Sequence, residues 1–351
     1  MASAVTIRRR TPADDEQLFR LYRDVFGEDL TESSQRRWRW QYLDNPANGP
    51  EGPEIWVAED PRGLLGQYAS MPVRLWWGDR EVRSSWGMDV FVRPEARGLR
   101  VGERLFTYWS DHVDVALGLG LTPSSYGLFR KLRYRDVGPV PFFQRILDAG
   151  AVAQRRLGPA AGAVAGPLLG LALRLARRSR RGDGAGVEVR PITAFTPEYD
   201  TLWERARGSY SMCVRRDAAY LQWKYRDCPH REYQLWEARH GGELTGYAVS
   251  REVDHRGIRL GWLLDAFTRA DDGASRDALL EAVSGRFRRE GVARAQAFAM
   301  SRPLGDALRR HGFRPGRSPM QFCVRARVPS EGVFEATEGW QVVFGDSDMD
   351  R

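Results

Sequence analysis

The feature that most constrains this chain is that it matches itself: slid by about 180 residues, its two halves fall into register. Val5-Thr6-Ile7-Arg8 is answered by Val187-Glu188-Val189-Arg190, and Thr11-Pro12 by Thr196-Pro197, each ahead of a helical apolar pattern. Trp40-Gln41-Tyr42-Leu43-Asp44-Asn45-Pro46 is answered by Trp223-Lys224-Tyr225-Arg226-Asp227-Cys228-Pro229. Leu65-Gly66-Gln67-Tyr68 matches Thr245-Gly246-Tyr247, Asp89-Val90-Phe91 matches Asp265-Ala266-Phe267, and Leu128 to Tyr134 matches Ala307 to Phe313. Such a chain is one fold used twice, and 351 residues are ample for two cores.

Within the first half, Val5 to Arg8 predicts a short strand. Thr11-Pro12-Ala13-Asp14 predicts a capped helix start, with Leu18, Leu21, Tyr22, Val25 and Phe26 on one face. Ile55 to Glu59, Leu64 to Leu75 and a strand ending at Val92 predict an antiparallel meander, with turns at Asp60–Gly63 and Gly78-Asp79. Met88 to Val92 then run through Pro94 into a basic, glycine-containing turn, Arg97-Gly98-Leu99-Arg100-Val101-Gly102. A helix carrying Leu105, Phe106 and Trp109 follows. Free N–H groups at such a turn and the positive end of the helix make a site for an anion such as a pyrophosphate, and Arg97 and Arg100 add positive charge. No Lys-Ser/Thr follows, which excludes a triphosphate P-loop, and the G-x-G-x-x-G spacing of dinucleotide folds is missing.

Net charge is +8, almost wholly from arginine, since Lys131 and Lys224 are the only lysines. That balance favours anionic or phosphate-bearing partners, although a GC-rich coding sequence produces the same bias. Cys213, Cys228 and Cys323 are far apart with no C-x-x-C pair, so neither a disulfide framework nor a metal site is expected. The first ten residues lack the apolar stretch of a signal peptide, and the expected location is the cytoplasm.

Boundaries are expected at 1–148, 149–186, 187–330 and 331–351. The second of these is an Ala/Gly/Arg-rich linker whose uncharged run, Leu157 to Leu173, precedes five arginines between Arg174 and Arg181. At seventeen residues it is short for a membrane span, and a helix lying on an anionic membrane surface is the alternative to a packed linker. The last segment, ending Trp340 to Asp350, is acidic and expected to be a solvated tail.

The turn at Arg97 to Gly102 resembles that of the GNAT superfamily of N-acetyltransferases, in which an Arg/Gln-x-x-Gly-x-Gly/Ala loop holds the pyrophosphate of acetyl-CoA; here Arg100 stands at the middle glycine. A second run of that family, Asn-x-x-Ala-x-x-Leu-Tyr-x-x-x-Gly-Phe, is matched by Thr122 to Tyr134, with Phe129 at the tyrosine that often protonates the departing thiolate. Tyr126 is the nearby aromatic hydroxyl. The second half keeps His311-Gly312-Phe313 but has Asp271 and Asp272 in the phosphate turn and Leu308 at the tyrosine position. Over Val5 to Val328 the chain looks similar to tandem GNAT-like proteins of surface-polysaccharide biosynthesis, and its C-terminal stretch resembles theirs. The resemblance implies an α/β (α+β) fold of two GNAT-like domains, each a mixed, mostly antiparallel sheet flanked by helices. It also implies acetyl-CoA as co-substrate in the first half only, with Val90, Val92 and residues Arg97, Gly98, Leu99, Arg100, Val101 and Gly102 around it.

A primary amine is protonated at neutral pH and must lose a proton before attacking a thioester. Asp89 is the carboxylate placed to take it, with Asp265 its counterpart, although an Asp at a strand end also serves to satisfy loop N–H groups. Backbone amides near Val90 to Val92 polarise the thioester carbonyl in this reading, and Tyr126 is the acid. The expected partner is a small-molecule amine, an amino sugar by family resemblance, and not nucleic acid. Alternatives of other classes are a non-catalytic acyl-CoA-binding scaffold and an aminoacyl-tRNA-dependent peptidyl ligase. The latter suits the charge but lacks a long heptad arm.

Overall fold

The structure, a computed structural model, describes residues 5–27, 30–151 and 186–348. It divides into two compact units, one of Met1–Pro139, Asp227–Arg231 and Pro319–Glu331, the other of Val140–Arg226, Glu232–Ser318 and Gly332–Arg351.

In the first unit the strands are β1 (Thr6–Arg9), β2 (Ile55–Asp60), β3 (Gly63–Trp77), β4 (Arg80–Val92), β5 (Val115–Leu119) and β6 (Arg135–Pro139), joined by β15 (Gln321–Ala326). They lie in the order β1-β2-β3-β4-β5-β15-β6, and of these pairings only β4 with β5 is parallel. The expected meander is β2, β3 and β4. Helices α1 (Asp15–Phe26) and α2 (Glu32–Trp38) precede it, and α3 (Val101–Asp111) and α4 (Pro123–Lys131) follow. α1 buries Leu18 and Leu21 on Val57 and Leu64, as its spacing predicts, and stops at Gly27, whose φ of 80° a side chain would oppose. On the other side of the sheet α3 and α4 bury Leu105, Phe106, Trp109 and Phe129 with Tyr68, Ala116 and Tyr134.

The second unit holds β7 (Phe142–Ile146), β8 (Val187–Ile192), β10 (Gln234–His240), β11 (Glu243–His255), β12 (Ile258–Thr268), β13 (Arg294–Phe298) and β14 (Arg314–Gly316). Their order is β14-β7-β13-β12-β11-β10-β8, with β12 and β13 the parallel pair. Short strands β9 (Met212–Val214) and β16 (Trp340–Gln341) pair with each other in parallel. Its helices are α5 (Glu198–Ala206), α6 (Ala218–Leu221), α7 (Gly273–Arg289) and α8 (Arg302–Arg310).

The two sheets therefore follow one plan, and the correspondence extends to irregularities. Arg39–Leu43 and Gln222–Arg226, which carry the repeated Trp-x-Tyr, each form a turn of π-helix. β4 and β12 each hold one extra residue, between the Tyr68↔Val90 and Ser70↔Gly87 pairs and between the Val249↔Asp265 and Ser250↔Leu263 pairs.

Two expectations need correcting. The units do not follow the sequence boundaries, because each contains a strand from the other half: β15 lies between β5 and β6, and β7 between β13 and β14. As far as it is described, to residue 348, the C-terminal segment expected as a solvated tail is packed, since Trp340 is fully buried and residues 341–347 are all buried. Four large apolar side chains between Trp340 and Phe344 outweigh the aspartates, and Asp346 is accommodated by an ion pair to Arg216 at 2.8 Å. The linker 152–185, with its uncharged run and arginine cluster, lies outside the described residues.

Candidate active site

In the first unit the parallel pairing of β4 with β5 ends at Trp86↔Leu117, while β4 continues to Val92 and β5 to Leu119. Past that pair, where β4 takes up its extra residue, the two strands are no longer paired, which leaves the β5-facing edge of Gly87 to Val92 outside the ladder. Peptide groups along such an edge must find other partners. Val90 and Val92 turn their side chains into the α3-side cluster, and Asp89 and Phe91 take the opposite face.

Asp89 is half-buried and accepts a hydrogen bond from the Tyr42 hydroxyl at 2.6 Å. Tyr42 comes from the π-turn, so the repeated Trp-x-Tyr and the repeated Asp are parts of one constellation. Sequence reasoning missed this, although both recur at nearly the same offset.

Below β4 the chain makes a tight 3-10 turn, Pro94–Leu99, and enters α3 through Arg100 at φ 56°, ψ 27°. That left-handed conformation favours glycine, and a side chain strains it by about 1 kcal/mol. Arg100 turns its guanidinium onto Glu103, which Lys131 also reaches at 2.6 Å, and the two cations hold the Glu103 carboxyl down to about 2. No side chain caps α3, whose first internal bond there is Arg104 N–H to Arg100 O at 3.1 Å, so the N–H groups of Val101 to Glu103 precede the helical ladder. Gly98 has nothing within 4 Å of where a Cβ would sit, and at Gly102 the nearest atom is Val92 Cγ2 at 3.7 Å. The turn thus presents N–H groups ahead of the helical ladder and a helix dipole, with Arg100 and Lys131 paired to Glu103 beside it.

On α4 the Tyr126 hydroxyl donates to Asp136, which Arg130 and Gln321 also contact, and its phenol is pushed above the usual range chiefly by that carboxylate, against Arg130. Phe129 is buried, with its para carbon 2.2 Å from where a Gly118 Cβ would sit. The ring lies directly on β5, so its place in the family motif is spent on packing.

The second unit has the same parts with each one occupied. β12 parts from β13 after Leu263↔Ala297, and the C-terminal segment enters that gap. Val343 bridges Ala299, Met300 N–H donates to Val342 O at 3.0 Å, and the Gln341 side-chain amide donates to Ala266 O at 2.9 Å while its oxygen accepts from Ser301 at 2.6 Å. Gly345 fits because it lacks a Cβ, which would lie 2.3 Å from the Tyr225 hydroxyl and 3.2 Å from Leu264 O. Asp272, expected to repel a pyrophosphate, caps α7 by accepting from Ser275 N–H at 3.0 Å, so the anion position is filled by the protein's own carboxylate. Asp265 accepts from Tyr247 at 2.8 Å, Tyr225 at 3.2 Å and the wholly buried Arg216 at 3.2 Å. Leu308 is fully buried.

Residues 6–135 match the family model of an acetyltransferase (GNAT) domain. No curated protein matches the sequence significantly. Among solved structures, a GCN5-related N-acetyltransferase from Anabaena variabilis is similar over 92% of this chain and 73% of its own, with 14% identity and a TM-score of 0.62. A probable N-acyltransferase from Enterococcus faecalis gives 92%, 72%, 12% and 0.62. Saccharomyces cerevisiae N-myristoyltransferase, solved with bound myristoyl-CoA, gives 94%, 81%, 14% and 0.55. At these identities the likeness concerns the fold. Residues 6–135 are thus similar to an acetyltransferase domain, and the fold is similar to that of N-acyltransferring enzymes.

Proposed function

We propose that the first unit transfers an acyl group, acetyl by default, from acyl-CoA to a primary amine. The observation that supports it is the contrast between the units: in the first, β4 past Trp86 lies outside the β5 ladder and α3 has no side-chain cap, whereas the counterparts in the second are filled by Gln341, Val343 and Asp272. In this reading the pyrophosphate lies against the N–H groups of residues 97–102, with Arg97 in the turn. Arg100 and Lys131 exchange Glu103 for phosphate oxygens. The thioester lies along β4, where backbone N–H groups near Val90 and Val92 polarise its carbonyl.

Asp89 takes a proton from the ammonium, directly or through water, while Tyr42 keeps the carboxylate oriented. The amine nitrogen then bonds to the acyl carbon, the carbon–sulfur bond breaks, and the electron pair leaves on sulfur. Tyr126 is the proposed donor to that thiolate: its hydrogen bond to Asp136 keeps the phenol protonated, and it must leave Asp136 to deliver the proton. The nitrogen gives up its second proton, which restores the Tyr126 phenol through water, Asp89 returns its proton to solvent, and the amide, free CoA and one released proton balance the reaction. An amino sugar is the acceptor that the family resemblance brings with it.

Calorimetry with CoA tests the reading. Binding to the wild type and its loss in Arg97→Glu/Gly102→Glu are expected; absent binding, or binding unaffected by those changes, would remove it. CoA binding without thiol release from acetyl-CoA across amines of several classes would leave a non-catalytic CoA-binding protein.

A further inference from the structure

The face of β4 that carries Asp89 has a composition of its own. Phe91, two residues on, shares that face and packs beside α1. Tyr22 and Phe26 stand over it: the Tyr22–Phe26 ring centres are 4.6 Å apart, Phe26–Phe91 5.6 Å and Tyr22–Phe91 6.0 Å. Phe26 is 51% exposed, one of two large apolar side chains so exposed among the described residues. On the other flank of Asp89 the Tyr42 ring meets Trp38 at 5.9 Å. The carboxylate is thus bonded to Tyr42 of one aromatic group and shares its strand face with Phe91 of another.

Charged groups around this rim are engaged with one another. Arg93 donates to Leu64 O at 2.8 Å and to Asp24 at 2.5 Å, and Arg10 is paired with Asp15 while lying 5.4 Å from the Trp38 ring centre. An amino sugar brings several hydroxyls that lose water on binding and need polar partners, and leaving them unpaired is costly. Aromatic rings beside a carboxylate suit a different ligand: the ammonium pairs with the carboxylate and the rings' electron-rich faces, and an apolar body covers the remaining ring surface.

We propose that the acceptor is an arylalkylamine or similar apolar primary amine, with its ammonium at Asp89 and its ring against Phe26, Tyr22 and Phe91. This rests on the acyltransferase reading above and replaces its amino sugar. Phe26, being exposed, is the rim residue whose removal leaves the core intact.

The test compares acetyl-CoA turnover with phenethylamine and with glucosamine, alongside calorimetry of phenethylamine with and without saturating CoA. The expected result is a kcat/KM at least about tenfold higher for phenethylamine, and a Phe26→Ser variant whose KM or Kd for that amine rises about tenfold with CoA affinity retained. Glucosamine used as efficiently, an equal loss for both amines in Phe26→Ser, or phenethylamine neither turned over nor bound would overturn the proposal. Failure of the underlying reading looks different: CoA does not bind, while Phe26-dependent phenethylamine binding, if found, keeps the amine site.

Discussion

Asp89 and Asp265 occupy equivalent places in the two sheets, and changing each to Asn separates a chemical carboxylate from a structural one. Asp265 is 1% exposed and shares the wholly buried Arg216 with Asp346. Breaking one partner from a buried ion pair costs about 3–5 kcal/mol. Because Asp346 stays within 2.8 Å of the guanidinium, and Asn still accepts from Tyr225 or Tyr247, Asp265→Asn belongs at the low end, about 3 kcal/mol. For units of this size that lowers the melting temperature by on the order of 10 °C. Turnover per folded molecule should be unchanged. Asp89→Asn keeps an acceptor for Tyr42 and sits half-exposed, so its stability effect should stay under about 1 kcal/mol, whereas turnover should fall about 10²-fold with CoA affinity retained. Thermal melts, CoA calorimetry and thiol release measured on both variants are sufficient. Equal losses of turnover would refute the division between the units, and full activity in Asp89→Asn would return that residue to a structural role.

Phe129→Tyr should not raise activity and should destabilise by about 1–3 kcal/mol, because the new hydroxyl would point at Gly118 in β5; a rate gain in steady-state assays would contradict the packing. Burial pushes the Asp346 carboxyl up to about 6, with Arg216 opposing and Asp265 adding. The folded protein therefore holds a proton that the unfolded chain has released between the ordinary carboxylate range and about pH 6, and falling pH through that window stabilises the wild type. Denaturation at pH 8 and pH 5 should show this gain, on the order of 1 kcal/mol by pH 5, relative to Asp346→Asn, which lacks the titration; identical pH profiles would exclude it. Hydrogen exchange with and without CoA should slow the amides of Val90 to Val92 and Val101 to Glu103 while leaving Leu264 to Thr268 unaffected. Protection in the second set would mean that the C-terminal segment is displaced by CoA.

The repeated order of elements, the meander and the turn ahead of α3 are legible because they rest on local signals: alternation, helical spacing, and glycine or proline at turns. The Arg97 to Gly102 turn was placed correctly ahead of a helix, yet the left-handed Arg100 was not foreseeable, since arginine carries no preference for positive φ. The exchanged strands were beyond sequence reading for another reason. Phe142–Ile146 and Gln321–Ala326 each supply a β-prone, partly apolar strand, and nothing local says which sheet will accept them. Trp340 to Ser347 misled because its aspartates suggested solvent, while the cation that makes Asp346 tolerable lies 130 residues away at Arg216.

The divergence of the units has a common physical thread. A site for a ligand is a set of polar groups whose partners arrive only with the ligand. In the first unit that set is the post-bulge edge of β4 and the uncapped start of α3. In the second, both places have acquired an internal partner, Gln341 and Val343 at the strand gap and Asp272 at the helix start, and Arg216 stands at the carboxylate. Every one of these contacts removes an unmet hydrogen bond or charge, so each is stabilising alone, and each also removes one requirement of acyl transfer: the thioester slot, the phosphate site or the base. No single loss of a catalytic residue is needed to account for the second unit's divergence. A fold that no longer had to leave room for a substrate could gain stability by closing the room, and the first unit keeps its polar groups unmet because the reaction proposed for it requires them.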